Sequence, residues 1–126
     1  MELAPFSDRV SVHKIWFVLR SRGHSPVERF LLRLDSRTFA ASVQVFDRTE
    51  LAGPPHNVEK FRHLRGDVYE FKVHRHVPVR YLAFSATVGW VVVSAQVKPK
   101  AAALQSAIVD AQRLHDEFGG SSHEHQ

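Results

Sequence analysis

The chain has 126 residues, 44% of them hydrophobic, with no cysteine and a formal net charge of +4. That length suits one domain with its own core, and the lack of cysteine excludes a disulfide framework and thiolate chemistry. No apolar run approaches the roughly 18 residues of a membrane span, and MELAPFSDRV lacks the charged-then-apolar pattern of a secretory signal, so a cytoplasmic protein is expected.

Residues 10–19, VSVHKIWFVL, are rich in β-branched and aromatic side chains and read as a strand. Ser25-Pro26-Val27-Glu28 carries a capping-box signature, with Ser at the N-cap, Pro at the first helical position and Glu at the third. Val27, Phe30, Leu31 and Leu34 then fall on one face of a short helix. A second helix is expected from Asp35 or Ser36, with Phe39, Val43 and Phe46 on one face. Gly53-Pro54-Pro55 stops it, giving a helical hairpin whose aromatics belong to the core.

Phe61–Leu64 reads as a short strand. Tyr69, Phe71 and Val73 alternate with Val68, Glu70 and Lys72, the period of a half-buried strand. Residues 79–86, VRYLAFSA, are apolar on both faces and read as central. In residues 90–98, Val91, Val93, Ala95 and Val97 are expected on one face, with Trp90, Val92, Ser94, Gln96 and Lys98 on the other. Pro99 has no N–H with which to continue a ladder. Leu104, Ile108, Ala111, Leu114 and Phe118 mark a last helix over 101–118, followed by a disordered tail over 119–126. The expected fold is α+β in the order β-α-α-β-β-β-α, a single domain over 1–118: an antiparallel sheet with helices packed on one side.

Charge is unevenly distributed. Residues 60–100 hold eight Lys or Arg and two acidic residues, a net +6; residues 1–59 hold a net +1 and residues 101–126 a net −3. This concentration points to an anionic partner touching the sheet, a solvated basic face being the alternative. Arginine outnumbers lysine 12 to 5, and the guanidinium fork suits phosphate; a GC-rich genome would produce the same bias.

Nine histidines are scattered along the chain. His74-x-His76 and His123-x-His125 have no supporting cysteine and few nearby acids, so no metal site or other cofactor is expected, and His74 and His76 read as turn residues. There is no GxSxG, P-loop or GxGxxG. Glu70 and Lys72 read as a surface ion pair. Cationic chemistry remains. Cleaving RNA without metal needs a base for the ribose 2′-OH, charge to stabilise the phosphorane, and an acid for the leaving 5′-oxygen. Neighbouring cations lower a lysine pKa and so favour it as base, and arginine keeps its proton while forking onto two oxygens. Lys60, Lys72, Arg80 and Lys98 are the sheet residues able to fill these roles, with Arg80 sharing its strand face with Leu82 and Phe84.

The segments SPVERFLLRL, NVEKFRHLRGDVYEFKV, VRYLAFSA and GWVVVSAQVKPK, in this order and spacing, resemble the RelE/ParE toxin superfamily, closest to its HigB-like, phage-derived branch. The resemblance runs from about Ser25 to Ala111. It implies a compact RelE-like fold and the toxin of a type II toxin–antitoxin pair, a ribosome-dependent endoribonuclease that cuts mRNA in the ribosomal A site without metal. The partner it implies is an antitoxin, typically a small helix-turn-helix protein. Carried over by position, Lys60, Lys72, Arg80 and Lys98 are the catalytic candidates, and Arg62, Arg65 and Lys100 the RNA-binding ones. Two departures stand out. Lys72 occupies a position usually held by arginine. Val93-Ser94-Ala95-Gln96 replaces a Leu-His-Gly-like stretch and so lacks its histidine, for which His63 is a candidate substitute. A ParE-like inhibitor of DNA gyrase and a non-catalytic binding protein on the same scaffold are the alternatives.

Overall fold

A computed structural model describes residues 1–98 and 100–124; Pro99, His125 and Gln126, with the expectations placed on them, lie outside these. Strands β1 (Glu2–Pro5) and β2 (Ile15–Leu19) come first, then a 3-10 turn at Ser21–Gly23, helices α1 (Pro26–Leu32) and α2 (Ser36–Ala52), strands β3 (Phe61–Arg65), β4 (Val68–His74), β5 (Pro78–Ala86) and β6 (Gly89–Val97), and helix α3 (Ala101–Glu124). The six strands form one sheet in the order β1-β2-β6-β5-β4-β3. The α+β class holds; β1 is new, and the short strand read over Phe61–Leu64, left out of the expected order, forms as β3. The sheet is antiparallel except where β2 runs parallel to β6.

The helix boundaries follow from their caps. Ser25 Oγ accepts the Glu28 N–H at 3.1 Å, and Pro26 opens α1. The Asp35 carboxylate accepts the Arg37 and Thr38 N–H groups, both at 3.1 Å, as well as the Thr38 hydroxyl. These bonds, the Thr38 hydroxyl foremost, hold the Asp35 carboxyl below its usual range. At the other end Gly53, with φ 90°, carries its N–H to Thr49 O at 2.7 Å.

Helices cover both faces of the sheet rather than one. Val27 and Leu31 of α1 and Phe46 of α2 pack with Phe17, Phe71, Tyr81 and Val92. Ile108, Ala111 and Leu114 of α3 pack with Val68, Leu82, Phe84, Val91 and Val93 on the opposite face. Phe46 sits edge-on to Phe6, Phe17, Phe71 and Tyr81 with centroids 5.0–6.0 Å apart, a geometry favoured by the ring quadrupoles. The buried face of α2 is Thr38, Ser42, Phe46, Thr49 and Glu50, whereas Phe39 is exposed. The face expected from Phe39, Val43 and Phe46 is therefore rotated, because Thr38 and Ser42 can be buried once hydrogen-bonded. Helix α3 continues past Phe118 to Glu124.

The strand expected over 10–19 starts only at Ile15; Val10 and Val12 are exposed on a loop. Glu50 organises that loop. Its carboxylate, 2% exposed, accepts the buried Ile15 N–H at 2.7 Å, the Ser7 hydroxyl and Arg9 Nη1 at 3.2 Å. Lys14 Nζ donates to the Ser7 and Arg9 carbonyls.

In β6 the period-2 alternation breaks. Leu82 pairs with Ser94 but Ala83 pairs with Val92, leaving Val93 as the extra residue of a bulge. Ala95 therefore joins Trp90 and Val92 on the α1/α2 face, and Gln96 comes opposite Arg80. The expected grouping of Ala95 with Val91 and Val93 fails for this reason.

Gly89, with φ 129°, packs so closely on Lys14 that an added Cβ would lie 2.2 Å from its carbonyl oxygen. Gly89→Ala is expected to cost about 2–4 kcal/mol from overpacking and backbone strain, measured as a lower urea midpoint. Burial pushes the Tyr81 phenol up to about 12, partly offset by its contact with Ser42. A raised folded-state value means stability is fully present below the usual tyrosine pKa of about 10 and is lost as pH rises from there through about 12. Tyr81→Phe removes this group's contribution, so the decline in the urea midpoint over that window should be shallower than in the native chain.

Candidate functional site

The strand residues that carry charge sit where helical cover ends. Glu70 of β4 is fully buried, yet it faces two cations: Arg62 Nε lies 3.1 Å from Oε1, and Arg80 Nη1 3.3 Å from Oε2. Register explains the arrangement, since Glu70 pairs with Arg62 on β3 and with Leu82 on β5, one pleat from Arg80. The expected Glu70–Lys72 surface pair is replaced by this buried carboxylate shared between two guanidiniums, because cross-strand neighbours on the same face bring the arginines to it.

Lys72 lies opposite Arg80 in the β4–β5 ladder, and its N–H donates to the Lys60 carbonyl at 2.8 Å, extending the β3–β4 ladder by one residue. Lys60 is held at that corner by a turn in which the Asn57 carbonyl accepts its N–H at 2.9 Å and the Asn57 side chain accepts the Glu59 N–H at 2.8 Å. Lys60, Lys72 and Arg80 all border one cleft of about 460 Å³ between α2 and the β4–β5 hairpin end, Lys72 and Arg80 from the sheet face that also carries Glu70 and Leu82. Val73 and Val79 supply apolar lining, while Arg48, His74 and Arg75 add further polar and cationic groups. Glu59 is the one acidic residue of the lining. Among the described residues, Arg48, Lys60, Lys72 and Arg75 take part in no ion pair, whereas Arg80 is tied to Glu70. Such a cleft offers unneutralised donors to an oxyanion over a partly apolar floor.

The other candidates lie elsewhere. Arg62 is bound to Glu70. Arg65, at the far end of β3, lines a shallow surface with Gln112, Arg113 and Asp116 of α3. Lys98 is exposed; its N–H reaches the Pro78 carbonyl at 2.9 Å, which sets its backbone beside the cleft. Lys100 is exposed and gives its carbonyl to the Leu104 N–H in the first turn of α3. His63 packs at a tilt against Tyr69 and bonds the Gly66 carbonyl, away from the cleft. The imidazole that does line the cleft is His74, read from the sequence as a turn residue but placed at the end of β4. The sequence held a signal for Arg48 too, as the cation on the α2 turn that follows Gln44.

A second polar cluster joins the β3–β4 turn to α3. His115 Nδ1 lies 3.3 Å from Asp67 and 3.2 Å from Asp116, and the Gln112 amide donates to both carboxylates. Bonds from Gln112 and then His115 hold the Asp116 carboxyl below its usual range. Asp67, His115 and Asp116 bring their ligand atoms within 4.8 Å of one another, but each already has a hydrogen-bond partner within the cluster. No helix is long and apolar enough to cross a membrane among the described residues.

No protein-family model matches the chain, and no curated protein matches it.

Glu70→Gln keeps the shape but removes the charge between two guanidiniums that remain partly solvated. It should destabilise the fold by roughly 1–3 kcal/mol, less than for a fully buried pair, measured as a fall in the urea midpoint at neutral pH and low salt.

Proposed function

We propose that this chain is the toxin of a type II toxin–antitoxin pair on a RelE-like fold, a metal-independent endoribonuclease that cuts mRNA in the ribosomal A site. The observation that carries the reading is the clustering of Lys60, Lys72, Arg80 and His74 around one cleft whose lysines take part in no ion pair among the described residues. In-line attack by the 2′-oxygen on the phosphorus needs the 2′-OH proton removed, negative charge on the equatorial oxygens stabilised, and the departing 5′-oxygen protonated. Lys60 or Lys72, bordering the cleft, is the candidate for the first role. Arg80, fixed by Glu70, presents guanidinium donors to the phosphorane. His74 supplies an imidazole as proton donor to the leaving group. Lys98, Arg62, Arg65 and Lys100 then act outside the cleft, as contacts to RNA or ribosome. The antitoxin, a helix-turn-helix protein, would neutralise the cleft with acidic side chains.

Induced expression in a bacterium should arrest growth and cleave translated mRNA within codons. Lys60→Gln and Lys72→Gln should each slow cleavage by about 10²-fold or more while leaving the urea midpoint within about 0.5 kcal/mol of native. His74→Gln should slow cleavage by about 10²-fold, with a smaller loss for a substrate whose leaving oxygen departs without protonation. Growth arrest with intact mRNA and a DNA-damage response would replace this reading with gyrase inhibition. Unaffected growth would leave a binding protein.

A further inference from the structure

The cleft does not end at Arg75. A second concavity, lined by Arg37, Ala40, Ala41, Gln44 and Arg75, shares Ala41, Gln44 and Arg75 with the first. The two are therefore continuous along α2. Arg37, Ala41, Gln44 and Arg48 recur at helical spacing on one face, and Ala40 and Ala41 leave its floor open. From Arg37 to Arg48 the helix rises about 16 Å at 1.5 Å per residue. That length spans several phosphates of a stacked strand, which rise about 3.4 Å each.

We propose that this groove is a track for single-stranded nucleic acid, in which Arg37 holds a phosphate beyond the one bound among Lys60, Lys72 and Arg80, and Arg75 bridges the two positions. The inference rests on the functional reading in taking the cleft as a phosphate site. It adds the direction in which the strand leaves that site and the residues that hold it there. Among the described residues Arg37 and Arg75 form no ion pair, and Glu59, at the other end of the groove, is the one carboxylate lining either concavity. The Asp35 carboxylate nearby is occupied by the backbone N–H groups of Arg37 and Thr38 and by the Thr38 hydroxyl. Duplex recognition calls for an element that protrudes into a groove of the nucleic acid. Here the cations line a concavity, which fits the backbone of one strand and reads charge rather than sequence.

The test uses the purified full chain and labelled 2′-deoxy oligonucleotides of two and eight nucleotides, which bind without being cleaved through a 2′-oxygen. Fluorescence anisotropy at low salt should give about 5- to 10-fold weaker octamer binding for Arg37→Gln, with dinucleotide binding unchanged. The salt slope for the octamer should fall by about 0.7, the value of one lost phosphate contact on a single strand. Arg75→Gln should weaken both ligands, and Arg29→Gln, an exposed charge on α1 outside the groove, should weaken neither. The track is overturned if Arg37→Gln affects both lengths equally or neither, if Arg29→Gln weakens the octamer as much, or if the native chain binds no oligonucleotide. Octamer binding with this length dependence but no mRNA cleavage in cells would sink the nuclease reading and keep the track. Cleavage in cells without the length dependence would do the reverse.

Discussion

Double burial of the sheet decides where charge can sit. The residues Tyr81, Leu82, Ala83 and Phe84 on β5 are at most 1% exposed, because α1 and α2 cover one face and α3 the other. A strand buried on both sides has no room for a cation without a partner. Cations therefore appear on this strand only at Arg80, near its start, where helical cover gives out. The same holds one strand over: Val68, Glu70 and Phe71 are buried, and Lys72 is the first cation of β4 and only partly covered. The position of the cleft is thus a consequence of where three helices stop covering six strands.

Two buried carboxylates do most of the polar organisation. Glu50 replaces a missing strand partner for the Ile15 N–H and gathers Ser7 and Arg9 around it, which turns residues 6–14 into a folded loop against α2. Glu70 stands between Arg62 and Arg80. It restrains the two guanidiniums and takes up part of their charge, so the unneutralised cations of the cleft are the lysines together with Arg48 and Arg75. Neither carboxylate lies inside the cleft, whose single acidic lining residue is Glu59.

The helix boundaries were legible in the sequence because caps are local. Ser25 with Glu28, and Asp35 with Thr38, are contacts between residues three apart. The strand core of β4 and β5 was legible through alternation and continuous apolarity. The bulge in β6 was not, since an extra residue in one strand is defined only against its partner, and nothing in Val91–Gln96 announces it. Burial of Thr38, Ser42 and Glu50 was equally hidden: a polar residue reads as exposed until its hydrogen-bond partner, here Asp35, Tyr81 or Ile15, is brought in from elsewhere in the chain or from the turn before it.

By itself, the sequence determined an α+β domain, its caps and turns, and the concentration of positive charge between Lys60 and Lys100, because composition, periodicity and capping act over a few residues. The tertiary structure alone decided which of those charges meet. It gathered Lys60, Lys72 and Arg80 around one cleft, added Arg48 from a helix, His74 from a strand end and Arg75 from a turn, paired Arg62 with Glu70, and left Arg65 at the opposite end of β3. The reason is that convergence depends on strand register and on where helices from distant segments lie, and spacing along a chain carries neither.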